Sequence, residues 1–247
     1  MSKIPKTPQE VFPEIVEDLK GIYGEALQSV ILYGSGARGE YVAGKSDINF
    51  LVVLAEDVAD DLEKVLSFVP KWKKRAVATP FFMTKTFIGA SVDAYPIEFL
   101  NMKRHYQVVH GEDVLGNLIF EKRALRLQCE RELKGKLMLL RTGFLETGAK
   151  AESLQRLMAA SITAFLSIFS ALLSLKDREV PHGRRDIVAA GAGLYGIDAA
   201  PFLRCIDLRE GKKGPSFGEL TAVFRSYTAE IQKLIKAVDG LEPQARE

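Results

Sequence analysis

The fold is decided by residues 29–54, SVILYGSGARGEYVAGKSDINFLVVL. The stretches Ser29 to Tyr33 and Ile48 to Leu54 are continuous apolar runs rich in β-branched residues, which predict two buried strands. Between them lies a glycine-rich turn, GSGARG at 34–39, and we expect a short helix from Ala37 to Val42 that ends at Gly44. This arrangement predicts an α/β domain.

The turn and the start of the second strand carry groups suited to phosphate and metal. A Gly34-Ser35 turn presents backbone N–H groups and a hydroxyl to an anion. Eleven residues separate Ser35 from Asp47, and Asp47 and Asn49 share a face because side chains two apart on a strand point the same way. Phosphate donors beside oxygen ligands for a hard divalent cation are typical of phosphoryl or nucleotidyl transfer.

The same turn also spells G-x-G-x-x-G, the dinucleotide-binding fingerprint, and Glu56 follows 17 residues after Gly39. Two features disfavour this alternative. The helix before Gly44 has room for only about two turns, which is short for a β-α-β crossover. The rest of the chain also lacks the strands of a second nucleotide-binding half.

Residues 29–54 resemble the core motif of nucleotidyltransferases of the DNA polymerase beta superfamily, in which Gly-Ser precedes Asp-apolar-Asp. The version here is similar to that of aminoglycoside and minimal nucleotidyltransferases from bacteria. The resemblance implies a mixed-sheet α/β core followed by an all-α helical bundle. It also implies transfer of a nucleoside monophosphate from ATP or another NTP to a hydroxyl acceptor, with one or two Mg²⁺ ions.

The resemblance also assigns roles to individual residues. The residues implied to bind the nucleotide are Gly34, Ser35, Arg38 and Ser46. Asp47 is implied as a catalytic residue and metal ligand, and Glu98 as the third carboxylate of the family, on a strand that we expect from Pro96 to Met102. Asp93 is the second choice for that carboxylate.

Asn49 departs from the family pattern, because the second motif aspartate bridges both metal ions and an amide is a neutral ligand. The implied metal site is therefore Asp47, Asn49 and Glu98 with one charge missing. Three outcomes stay open: a slow enzyme, a protein that binds nucleotide without chemistry, and a degenerate domain that serves as a protein-interaction module. The sequence does not decide whether the protein is an enzyme.

Helical spacing predicts the remaining elements, and we place the domain boundary so that residues 1–117 form the α/β domain and 118–247 the helical bundle. Two capping boxes, at Thr7–Glu10 and Ser216–Glu219, predict helix starts. The helices expected are a first helix after Thr7, one from Asp57 to Phe68 that ends before Pro70, and five spanning 120–145, 151–175, 184–194, 201–209 and 217–238.

The charge and the apolar segments of the chain limit which partners and which cellular compartment we expect. The helix expected over 151–175 contains an unbroken run of 19 uncharged residues, Leu157 to Leu175, but its stripe of small and hydroxyl side chains predicts a bundle helix and not a membrane span. That stripe predicts a close-packing seam, with a homodimer as an alternative. A net charge of +2 disfavours long nucleic acid as a partner. The N-terminus lacks the apolar core of a signal peptide, so we expect a cytoplasmic protein whose partners are a nucleotide and a small-molecule or protein acceptor.

Overall fold

The computed structural model describes residues 4–212 and 216–241. The chain folds into two compact units, Met1–Phe120 and Glu121–Glu247. The first unit holds the sheet and the second is built from helices, so the predicted order of an α/β core followed by an all-α region is confirmed.

The α/β unit contains a four-stranded mixed sheet in the order β3-β2-β1-β4. Strand β2 is antiparallel to β1 and parallel to β3, and β4 is antiparallel to β1. The elements of this unit are α1 Phe12–Tyr23, β1 Leu27–Tyr33, β2 Asn49–Leu54, α2 Phe68–Lys73, β3 Phe81–Thr84, α3 Lys85–Ser91, α4 Pro96–Arg104 and β4 Tyr106–Gly111.

Helices cover both faces of this sheet. On one face, the even-numbered apolar residues of β1 and β2 pack with α1 and α2, and Trp72 is among the largest buried side chains there. On the other face, Ile31 and Leu51 pack against residues of α3 and α4, including Phe99. Because both faces are buried, β1 and β2 read as continuous apolar runs, which is why the sequence identifies them.

Several local predictions for this unit are wrong. Residues 96–102 form the helix α4 and not a strand: Pro96 presets the first helical turn, and the buried Pro96, Phe99 and Met102 recur every three residues. The helix expected from Asp57 to Phe68 is replaced by two short 3₁₀ turns, and α2 contains Pro70 in its first turn, where a missing N–H costs nothing.

Three further corrections concern short elements of this unit. No helix forms from Ala37 to Val42, where the chain makes successive turns. The Thr7 side chain caps no helix; a 3₁₀ turn starts at Pro8 and α1 starts at Phe12. The strands β3 and β4 are absent from the prediction.

The second unit agrees closely with the predicted helices, because long amphipathic segments carry a strong periodic signal. Helix α9 begins with the predicted capping box, in which Ser216 accepts from the Glu219 N–H and the Glu219 side chain accepts from the Ser216 N–H. The helices are α5 Lys122–Glu146, α6 Ala151–Leu175, α7 Arg184–Tyr195, α8 Ala200–Arg209 and α9 Phe217–Asp239.

Helix α6 is the central helix of this unit and packs against α5, α7, α8 and α9. The predicted stripe of small and hydroxyl side chains on α6 includes Thr163, which is exposed, and Ser170, which is buried. Among the described residues, α6 alone is long and apolar enough to cross a membrane by length and composition, and half of its most apolar window is buried inside the protein. A core helix meets the same criteria.

Candidate nucleotide-binding site

The glycine-rich turn begins where β1 ends. Gly34 has a φ of +74°, a backbone conformation that L-residues rarely adopt, and an added Cβ would lie 3.2 Å from Asn49 Nδ2. The Gly34 carbonyl accepts from the Arg38 N–H at 3.1 Å, and the Ser35 carbonyl accepts from the Glu40 N–H at 3.0 Å. These bonds close the turn, and the Gly34 backbone lies close to the Asn49 side chain.

Asp47 and Asn49 follow at the start of β2. Asn49 pairs with Tyr33, the last residue of β1, so it lies directly beside the glycine turn. Its Nδ2 donates to the Asp47 carbonyl oxygen at 3.4 Å. The Asp47 side chain is exposed. Together with burial and the charge on Glu10, the charge on Asp47 raises the pKa of Tyr41, which indicates that the carboxylate lies in that neighbourhood.

Ser46 shapes the loop that delivers Asp47. Its hydroxyl oxygen accepts from the Val42 N–H at 3.2 Å, and the Ser46 N–H donates to the Val42 carbonyl at 2.9 Å. These two bonds define the return of the chain toward β2. Ser46 directly precedes Asp47 in the chain, and its side chain stabilises the loop through the bond to Val42.

Aromatic residues that the sequence analysis did not select lie at the same end of the sheet. Tyr33 pairs with Asn49 on one side and with Tyr106 on the other. Its ring stacks with that of Phe81 at a centroid distance of 6.3 Å and an interplanar angle of 14°. Burial raises the pKa of Tyr33 to about 12, so its hydroxyl stays protonated at neutral pH. Finding this pair requires knowing that β3 lies beside β2.

Glu98 does not occupy the predicted strand. It lies in the first turn of α4 and is exposed, between the buried Ile97 and Phe99. Asp93, the second choice, is also exposed, in the turn before α4. Strand β3, the parallel neighbour of β2, contains no acidic residue in its sequence FFMT. The strand assignment for Glu98 is therefore wrong, and its role as the third carboxylate stays a prediction.

Two arginines lie near the turn. Arg38 is exposed and its Nε lies 3.3 Å from Glu40 Oε2. Arg104, the last residue of α4, is half-buried and donates from one guanidinium nitrogen to Asn101 Oδ1 at 3.1 Å. Burial, and then the charge of Arg38, lower the pKa of Arg104, which indicates that the two guanidinium groups are close enough to repel each other.

The donor set does not fit a two-cation centre. Two bridged divalent ions need several carboxylates, but the start of β2 supplies the Asp47 carboxylate and the Asn49 amide. Within residues 4–212 and 216–241, no group of three or more His, Cys, Asp or Glu side chains is placed to hold a metal ion. These side chains fit at most one Mg²⁺ that also takes phosphate oxygens and water as ligands.

Comparisons with known proteins agree with this description. Residues 12–105 match the family model of the nucleotidyltransferase domain. Among solved structures, the chain is similar to spectinomycin adenyltransferase AAD(9) from Enterococcus faecialis, whose crystal structure is with ATP and spectinomycin, with a TM-score of 0.51 and 14% identity. That similarity covers 92% of this chain and 99% of the other. No curated protein sequence matches significantly.

The family-model match places a nucleotidyltransferase domain within the α/β unit, at residues 12–105, and the resemblance drawn from residues 29–54 is confirmed. At 14% identity, the structural similarity establishes the fold, which here includes a helical region after the α/β core.

Proposed function

We propose that the α/β unit binds a nucleoside triphosphate, with ATP as the first candidate, and that it transfers the nucleoside monophosphate slowly or not at all. The phosphates lie against the Gly34-Ser35 turn, where the backbone N–H groups and the Ser35 hydroxyl donate to them. Arg38 supplies a positive charge beside the same turn. This proposal keeps the binding function of the nucleotidyltransferase domain and limits its chemistry.

The observation that supports it most strongly is the position of Asn49. Its amide nitrogen lies beside the Gly34 backbone and the Asp47 carbonyl, at the place where the family motif has a second aspartate. An NH₂ group donates hydrogen bonds to phosphate oxygens but repels a metal ion. Exchanging a carboxylate for an amide therefore favours an anion and weakens binding of divalent cations.

Asp47 and the similarity across both units to an adenyltransferase support a second candidate, an active enzyme that modifies a hydroxyl of a small molecule. In this candidate Asp47 would hold one Mg²⁺, which supplies charge stabilisation at the phosphates. The acceptor and the metal ion remain proposals for both candidates.

A cytoplasmic location is likewise a proposal. Cys129 and Cys205, both buried and free, are compatible with a reducing compartment.

The experiment is calorimetric titration of the wild type with each NTP, followed by a pyrophosphate-release assay with Mg²⁺ and a panel of hydroxyl acceptors. We expect ATP binding and background release from the wild type. Asn49→Asp restores the missing charge and should raise Mg²⁺-dependent release. Asn117→Asp makes the same charge change at an exposed loop residue and should leave release unchanged.

The possible results separate the two candidates. Failure of the wild type to bind any NTP would refute both. Metal- and acceptor-dependent pyrophosphate release by the wild type at a rate far above background would favour the second candidate over the first. If Asn49→Asp released no more pyrophosphate than Asn117→Asp, the absence of a carboxylate at position 49 would not explain the low activity.

A further inference from the structure

Sheet topology brings Arg104 to the glycine-rich turn, although 65 to 70 residues separate them along the chain. Strand β4 starts at Tyr106, and Tyr106 pairs with Tyr33, the residue just before Gly34. Because β1 and β4 are antiparallel, the start of β4 and the end of β1 meet at one end of the sheet. Arg104 lies two residues before Tyr106 and therefore at that end.

The two arginines near the turn bring two positive charges close to each other. Arg104 is half-buried, so its charge is partly removed from water, and Arg38 repels it. Arg38 lies beside Glu40, and Arg104 donates to the Asn101 side chain among its contacts. Two guanidinium groups beside backbone N–H donors form an environment that suits phosphate oxygens, which arginine binds with paired hydrogen bonds.

We propose that Arg104 binds the nucleotide phosphates together with Arg38, so that fixed positive charge takes the place of metal ions and the nucleotide binds without a divalent cation. The proposal rests on the proposed function, since it assumes that a nucleoside triphosphate occupies the turn. It adds a binding residue from α4, outside the 29–54 motif. It also explains how the site could bind a nucleotide although Asp47 and Asn49 supply less negative charge than a two-metal centre needs.

The test is calorimetric titration of the full-length protein with ATP, ADP and AMP, each with Mg²⁺ and with excess EDTA. We expect the wild type to bind ATP in EDTA. Arg104→Gln should weaken ATP binding about tenfold or more, as the loss of a charge-assisted hydrogen bond predicts, and should affect AMP less. Arg104→Lys keeps the charge but not the paired geometry, so its affinity should lie between the two.

Lys73→Gln is the matched control, because it removes one positive charge from an exposed residue of α2, whose buried side chains pack on the opposite face of the sheet. It should bind ATP like the wild type. Circular dichroism melting of each variant shows whether it is folded, and Arg104→Lys serves as the test variant if Arg104→Gln unfolds.

Each result decides one point. If the wild type binds ATP but Arg104→Gln and Arg104→Lys bind as tightly as Lys73→Gln, this inference is overturned and the proposed function stands. Wild-type binding that disappears in EDTA overturns the metal-independent part of the inference. No binding by the wild type under either condition refutes the proposed function itself, and this inference with it.

Discussion

Replacing Gly34 by alanine probes the contact between the turn and Asn49. A positive φ costs alanine roughly 1–2 kcal/mol. The added Cβ would also lie 3.2 Å from Asn49 Nδ2, so the amide must shift by a few tenths of an ångström, which for a side chain pushed off its rotamer costs about 0.5–1.5 kcal/mol. We expect Gly34→Ala to lower the free energy of unfolding by about 1.5–3.5 kcal/mol, the sum of the two costs.

Gly44→Ala is the matched control for that prediction. Gly44 has a φ of +75°, almost that of Gly34, but an added Cβ would meet nothing within 4 Å. This variant should therefore show only the backbone cost of roughly 1–2 kcal/mol. The excess loss in Gly34→Ala then measures the contact with Asn49.

The assay is urea unfolding followed by tryptophan fluorescence. Trp72 is the only tryptophan of the chain and is buried in the α/β unit, so its emission reports on that unit. Adding Asn49→Ala to Gly34→Ala removes the crowded amide and should recover the excess loss, which a double-mutant cycle measures. Equal losses in Gly34→Ala and Gly44→Ala, or no recovery in the double variant, would refute the reasoning.

Three other substitutions test the rest of the structure. Ser216→Ala removes the capping hydroxyl of α9 and should cost about 1 kcal/mol in urea unfolding followed by circular dichroism; no loss would contradict the observed cap. Hydrogen bonds from Lys212 and Arg185 lower the pKa of Asp207 from 3.8 to about 2. A lowered native pKa stabilises the fold above pH 4 and the gain is lost between pH 4 and 2, so Asp207→Asn should melt with less dependence on pH over that range. Gly111→Ala would put a Cβ 1.9 Å from the Gln28 carbonyl oxygen of β1. We expect the free energy of unfolding, followed by tryptophan fluorescence, to fall by more than about 3 kcal/mol. A near-native unfolding midpoint would refute the close approach.

The local sequence was sufficient for elements whose environment is uniform along their length. Strands β1 and β2 are buried on both faces, so their apolar runs are continuous. The helices of the second unit are long, and many turns repeat the same periodic signal. The four-residue strand β3 gives too few positions for any period to be read, and it is a strand because β2 pairs with it.

The α4 segment shows the opposite error. Residues 96–102 contain enough apolar residues to resemble a buried strand, but the spacing of three between the buried positions belongs to a helix on the sheet. An acid in a buried strand is costly, which is why Glu98 stands out in the sequence; on a helix that cost disappears because the side chain reaches solvent.

The sequence by itself determined the part of the site that is close in the chain. Gly34 and Ser35 directly follow β1, Asp47 and Asn49 stand at the start of β2, and the two-residue spacing of Asp47 and Asn49 predicts that they share a face. Only the tertiary structure decided what surrounds that motif. Phe81 and Arg104 come from later segments, and they lie at this end of the sheet because β3 pairs with β2 and β4 pairs with β1. Strand order is set by packing over the whole sheet, and no local pattern in the chain encodes it.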